Sequence, residues 1–276
     1  AVTSAVLALD ATPQVLAEAK AQDAELVVTH HPLLFRPLDG ITADGYVSNL
    51  ALQFAEAGIA LYSLHTNLDA APEGVSFALA DRLGLTDVGF LDGFEDTLYK
   101  LAVFVPEDAF EDVRQALADA GAGQIGDYEA CAFAVEGTGF FRPGADTDPH
   151  IGTAGGDVEA ARERKLEVEV DRWNLGSVMA ALEDAHPYEE VAYDLYPVKQ
   201  KNSRAGLGAL GHLDAPLPLS AFLDRVATRL GADILRYAGD PAALVERVAV
   251  CGGAASDFLG PAPAPGADAH VTAAVN

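Results

Sequence analysis

The stretch Leu26–Phe35 reads LVVTHHPLLF. Three apolar residues run into Thr29, two histidines follow side by side, and Pro32 closes the run. A short, continuous apolar run reads as a strand of a sheet covered on both faces. Proline cannot donate to a strand ladder, so the strand ends at His30 and His31. Two imidazoles are thus delivered to one strand end, and the flanking sequence says what kind of sheet carries them.

Upstream, SAVLALD (Ser4–Asp10) is another short apolar run, and ATPQVLAEAKAQDA follows it with Thr12 placed as N-cap and Pro13 at the first helical position. Downstream, NLALQFAEAG (Asn49–Gly58) has helical composition and a glycine stop. IALYSLHTNLDAAPEG then gives a strand from Ile59 to Leu64 that runs into a polar loop, and SFALADRLGL closes with a helix. This is β-α-β-α-β-α, the alternation of a parallel sheet covered by helices.

From about Thr97 the texture changes. YKLAVFVP, the alternating RKLEVEVD and EEVAYDLYPV read as strands. EDAFEDVRQALADAGA and NLGSVMAALEDAHP read as helices, and EACAFAVEGTGFFRPG as further strand and turn. Two β-α-β passes predict a ferredoxin-like α+β module over residues 97–198. KQKNSRAGLGALG reads as a turn-rich basic connector, after which SAFLDRVATRLGA, ERVAVCGGAAS and GADAHVTAAV return to helix–strand alternation. The expected fold class is therefore α/β: one discontinuous domain, residues 1–96 and 199–276, with a mostly parallel sheet and the middle module inserted. PAPAP (Pro261–Pro265) reads as a connector.

The chain has 276 residues, enough for one large domain or two ordinary ones. Its 42 acids against 17 bases give a net charge of −25. Such a surface repels phosphate backbones and argues against general nucleic-acid binding. It leaves room for a small anion beside a bound cation, which reverses the local field. No apolar run is long enough for a membrane span and none reads as a signal peptide, so a soluble, cytoplasmic protein is expected. Cys131 and Cys251 lie in apolar strand-like segments without zinc-finger spacing and read as buried reduced thiols.

In open parallel sheets, functional groups gather at the carboxyl ends of strands. His30 and His31 end one strand; His65, Asn67 and Asp69 of SLHTNLD follow the end of another. Imidazole and carboxylate are the usual ligands of zinc, iron and manganese. Neighbouring side chains on a strand point to opposite faces, so the two histidines cannot share one metal while extended. A turn at Pro32 would bring them to two metals or to two sides of one. The competing reading makes them solvent-facing loop residues, with Asp69 a cap. His65 is a candidate for proton movement or for a hydrogen bond behind the ligands. His186 reads as a turn residue and His270 as a packed or edge residue, while His150 and His212 have no evident partner. Asp10 ends the first strand and is a candidate to face the same rim, but reads first as a turn residue before Thr12 and Pro13. GTGFFRPG lacks phosphate-loop spacing and reads as a turn, with Arg142 a weak candidate for an anion contact.

LVVTHHPLLF, ALYSLHTNLDAAPEGV, GTGFFRPG, HPYEEVAYDLYP and VAVCGGAASDFL occur in this order along the chain. Together they resemble the GTP cyclohydrolase I type 2 homologues, also called NGG-one-interacting-factor-three-like proteins, over nearly the whole length. The resemblance implies that His30, His31 and Asp69 bind a pair of divalent metal ions. It also implies that the inserted module is related to PII-type and copper-tolerance proteins, and that the chain assembles into a ring-shaped homohexamer. The catalogued activity is opening of the guanine ring of GTP by metal-activated water with release of formate. The alternative is a non-enzymatic ring-shaped metal-binding or regulatory scaffold. Members of the family end in a His-x-x-x-Glu pair that GADAHVTAAVN does not contain, and begin with a leading helical segment before the first strand. The expectation is therefore empty or partial metal occupancy in this chain.

Overall fold

The computed structural model describes residues 1–254 and 266–274. The Pro261–Pro265 connector lies outside them. The chain divides into two compact units, residues 1–92 with 205–276 and residues 93–204.

The first unit opens with strand β1 (Ala5–Ala8), helix α1 (Pro13–Ala21), strand β2 (Leu26–Thr29), helix α2 (Tyr46–Ala57) and strand β3 (Ala60–Ser63). Thr12 caps α1 as its sequence suggests: the hydroxyl accepts from the Val15 amide, and Pro13 opens the helix. Gly58 ends α2 at φ 65°, a conformation that glycine adopts without steric cost. The three strands pair in parallel in the order β1-β2-β3. Val6 and Val27 of these strands pack with Leu16, Ala19, Leu50 and Phe54 of the helices into one buried cluster. Burial of this kind supplies the dominant favourable term in folding.

Next come helices α3 (Thr66–Asp69) and α4 (Val75–Leu83) and strand β4 (Thr86–Gly93). After the second unit, the chain returns to this one. One mostly parallel sheet was the expectation for this unit; two sheets are found, and the second is mixed. Its strands run along Gly206–Pro218, Leu244–Ala254 and Ala269–Ala274 beside β4. The Gly206–Pro218 strand is antiparallel to Leu244–Ala254, which is parallel to Ala269–Ala274. Residues 206–211, read as a turn from their glycines, belong to this sheet. Gly211 serves close approach, since a Cβ there would stand 3.0 Å from Leu85 Cβ and from the Thr86 carbonyl oxygen, and Gly208 takes φ 65° within the strand. Helix Leu219–Leu230 packs Phe222 and Val226 against Val248 and Val250 of the sheet, together with Leu83 of α4.

The second unit contains strand β5 (Leu98–Pro106), helix α5 (Phe110–Asp119), strands β6 (Ala132–Phe141) and β7 (Glu159–Asp171), helix α6 (Leu175–Ala185) and strand β8 (Tyr193–Val198). Among the described residues there follow β9 (Gly206–Pro218), α7 (Leu219–Leu230), β10 (Leu244–Ala254) and β11 (Ala269–Ala274). The sheet order is β6-β7-β5-β8, with every neighbour antiparallel. Val113 and Leu117 of α5 and Val178 and Leu182 of α6 meet Leu101, Val103, Leu166 and Val168 of the sheet in one core. GTGFF, expected to turn, is the second half of β6, and Gly137 and Gly139 pair with Glu163 and Ala161 of β7. Cys251 is buried as expected, whereas Cys131 lies only part-buried just before β6.

His186 is buried at the end of α6 and turns the chain there, as the sequence suggests. Its Nε2–H donates to the Phe104 carbonyl at 3.0 Å, and its Nδ1 accepts from the Tyr188 amide at 3.1 Å. Burial holds its pKa below the ordinary 6.5, partly offset by the Phe104 carbonyl and the Glu163 charge. The unfolded chain therefore takes up this proton first as pH falls. The stability that His186 contributes is complete above 6.5 and is lost as pH drops toward the folded pKa. Urea unfolding followed at Trp173, the single tryptophan, should show its midpoint falling between about pH 7.5 and about pH 5.5. His186→Asn should flatten that slope, and an equal slope in both proteins would contradict this assignment.

Candidate metal centre

The three parallel strands end level, with Ala8 beside Thr29 and Thr29 beside Ser63. The ladder continues one step past the strands. His30 N–H donates to the Ala8 carbonyl at 3.3 Å, His31 N–H to Leu9 at 2.9 Å, and Leu64 N–H to Thr29 at 2.8 Å. Thr29 is only 1% exposed. Its hydroxyl donates to the His31 carbonyl at 2.9 Å, so the 2.9 Å contact with the Ser63 hydroxyl is one in which Ser63 donates. This bond draws residue 31 back over Thr29 and frees the histidines from strand alternation. The opening motif is thus a turn that places two adjacent imidazoles together.

Their rings stand 5.0 Å apart, centroid to centroid. His65, the residue before α3, brings a third ring to 5.1 Å from His30 and 5.8 Å from His31. One ring nitrogen from each of the three lies within 4.8 Å of the others. The outer nitrogens are held. His30 Nδ1 meets the Leu64 carbonyl at 2.8 Å, which requires a proton on Nδ1 and leaves Nε2 with a free lone pair in the neutral ring. His31 Nδ1 meets Asp10 Oδ1 at 2.8 Å, a carboxylate–imidazole pair that fixes the orientation of the ring. His65 is held more loosely, with Nδ1 3.4 Å from Thr66 Oγ1. Three converging imidazoles with anchored outer nitrogens fit a divalent cation of the zinc, iron or manganese kind.

Asp69 does not join the three-histidine cluster. It ends α3 and faces the end of β10: a Cβ on Gly252 would stand 4.0 Å from Asp69 Oδ1. Burial and the Asp69 charge together push the Cys251 thiol pKa up, which keeps that thiol protonated and inert. Gly74, at the start of α4, has the carbonyl oxygen of Leu68 where a Cβ would go. Gly74→Ala must therefore displace the 68–74 turn that carries Asp69. A loss of about 1–3 kcal/mol is expected from the overlap. A thermal melt reads it, and an unchanged melting temperature would show that the turn yields freely.

Asp10, at the end of β1 beside β2, meets His31 rather than only turning the chain before Thr12. His65, the candidate for proton movement, brings a ring nitrogen within 4.8 Å of those of His30 and His31. Of the other histidines, His150 Nε2 lies 3.4 Å from Asp108 Oδ2. His270 sits in β11 and His212 in β9, each with one buried ring nitrogen lacking a hydrogen-bond partner among the described residues.

Fold and donor set define an α/β protein with a histidine cluster at the ends of parallel strands. The chain belongs to the Duf34/NIF3 (NGG1p interacting factor 3) family, whose profile it matches over residues 1–276. It is 40% identical over 266 residues to the GTP cyclohydrolase 1 type 2 homolog of Halalkalibacterium halodurans, covering 96% of this chain and 71% of that protein. It is 41% identical over 277 residues to the protein of the same name from Mycobacterium tuberculosis, covering 99% and 72%. A crystal structure of a Bacillus cereus protein related to NIF3 superposes with a TM-score of 0.81 at 38% identity, covering 98% of this chain and 72% of that one. Among the described residues, no helix is long and apolar enough to cross a membrane.

Proposed function

We propose that the chain is a metal-dependent hydrolase whose site comprises His30, His31 and His65, with Asp69 and Asp10 as its carboxylates. The observation that supports this reading is the convergence of three imidazoles within 4.8 Å, two of them with their outer nitrogens anchored. A divalent cation at such a site lowers the pKa of water and supplies a nucleophile near neutral pH. Asp10 and the Leu64 carbonyl fix the orientation of His31 and His30. His65, the most loosely held ring, is the group we assign to proton movement. Where two cations bind, Asp69 would supply a carboxylate to offset their mutual repulsion.

The name of the relatives points to GTP as substrate. The reaction would be hydrolytic opening of the guanine imidazole ring, one water cleaving the ring and a second freeing its carbon as formate. The unit 93–204 we read as an inserted ferredoxin-like module of the PII and copper-tolerance kind, from its β-α-β-β-α-β order. The test is incubation of the full chain with GTP and zinc, ferrous iron or manganese in turn, with and without chelator. Metal-dependent formate release that the chelator abolishes is the expected result. A chain that retains metal yet releases no formate with any of the three would replace the hydrolase with a metal-binding scaffold.

A further inference from the structure

A cavity of about 430 Å³ lies wholly within the 93–204 unit. That volume is in the range of small-molecule sites. Phe104, Phe140, Phe141 and Tyr188 supply aromatic walls, and Glu163 of β7 lines it as well.

Glu163 is the unusual member. The residue is 8% exposed, and Oε1 accepts one hydrogen bond, from the Tyr188 hydroxyl at 2.9 Å. Among the described residues, no lysine, arginine or histidine forms an ion pair with it. Arg164, next along β7, points to the other face of the strand and pairs with Glu107. His186, whose ring lies 5.0 Å from that of Tyr188, is fixed as the neutral tautomer by its two backbone partners. Tyr188 stays a phenol, because burial and the Glu163 charge push its pKa up. The position of the carboxylate is also built in: a Cβ on Gly139 would collide with Glu163 Oε2, so β6 is glycine at the one point where the carboxylate rests against it. A buried carboxylate held by one neutral hydroxyl is incompletely compensated, and such a group costs stability unless a cation completes it.

We propose that this cavity binds a small organic cation, a protonated amine carried on an aromatic or apolar body. The ammonium group hydrogen-bonds Glu163 and lies against the ring faces of Tyr188, Phe104 and Phe141, which attract a desolvated cation. Charge favours this class over an anion. Glu163, Glu189 and Glu190 line the cavity against Arg142 and His150, in a chain of net charge −25.

The experiment is calorimetric titration of the chelator-treated full chain with phenethylamine and, separately, with phenylacetate, its anionic counterpart of similar shape. Saturable one-to-one binding of the amine and none of the acid is the expected result. Glu163→Gln should weaken amine binding by about tenfold or more, the loss of a charged hydrogen-bond acceptor. Gly139→Ala should weaken it too, by moving the carboxylate while keeping its charge. His31→Ala should leave it unchanged, which separates this cavity from the histidine cluster. The proposal is overturned if amine and acid bind equally, if the amine does not saturate, or if Glu163→Gln titrates like the parent. The comparison of amine with acid needs no variant, so it stands even if a substitution impairs folding.

Discussion

His31→Ala is expected to lower zinc affinity by more than about 100-fold while leaving the fold intact. Loss of a partner behind a ligand typically costs 10–100-fold in metal affinity, and loss of the ligand itself costs more. His31 is exposed and makes no contribution to the buried cluster around β1, β2 and β3. Its backbone bonds, to Leu9 and to the Thr29 hydroxyl, survive truncation of the ring. Asp10→Asn tests the carboxylate behind it. The amide can still accept from Nδ1–H but no longer carries a charge behind the ring, so a loss of about 10–100-fold is expected. Competition with a chromophoric zinc chelator reads both variants. Parent-like affinity in His31→Ala would remove the ring from the ligand set. Parent-like affinity in Asp10→Asn would reduce the 2.8 Å contact to a surface pair of little consequence.

These expectations mix residues legible in the sequence with residues that were not, and the division has physical causes. The parallel β1-β2-β3 sheet was legible because apolar runs, an N-cap threonine with its proline, and glycine stops agree with one another there. The three histidines were legible because each lies just past a strand, where alternation ceases to constrain it. The place of Asp10 at the rim was legible but its pairing was not, because a carboxylate before Thr12 and Pro13 has a sufficient local explanation as a turn residue. Nothing local says that its partner is 21 residues away. The mixed second sheet was hidden for a related reason. Gly211 looks like a turn residue, but a Cβ there would stand 3.0 Å from Leu85 Cβ and from Val88 Cγ2 of β4, whereas Gly208, at φ 65°, takes a conformation that itself favours glycine. Gly139 in β6 repeats the pattern against Glu163. A glycine required by a long-range contact is indistinguishable, in the chain alone, from one required by a turn.

Arg204→Met is expected to destabilise the 93–204 unit by about 3–5 kcal/mol, the usual loss when one member of a buried ion pair is removed. Asp171 closes β7 with its side chain only 4% exposed. Arg204 Nη2 donates to Asp171 Oδ2 at 2.7 Å, and Nη1 donates to the Gln124 carbonyl at 2.7 Å. Asn202 completes the arrangement: its Nδ2 donates to Asp171 Oδ1 at 2.7 Å, and its Oδ1 accepts from the Arg204 amide at 2.8 Å. Methionine keeps most of the arginine stem but leaves the carboxylate charged, buried and held by Asn202 alone. The cost is that uncompensated charge rather than the worth of the pair, so neutralising it should restore stability. Asp171→Asn in the Arg204→Met background should regain more than half of the loss, although the same substitution in the parent leaves Arg204 without its carboxylate and should destabilise. Urea unfolding followed at Trp173, two residues from Asp171, reads all three proteins. A loss below about 1 kcal/mol in Arg204→Met, the range of exposed pairs, would mean that water reaches Asp171 once the guanidinium is gone. A double variant no more stable than Arg204→Met would place the loss in the Gln124 contact instead of the charge.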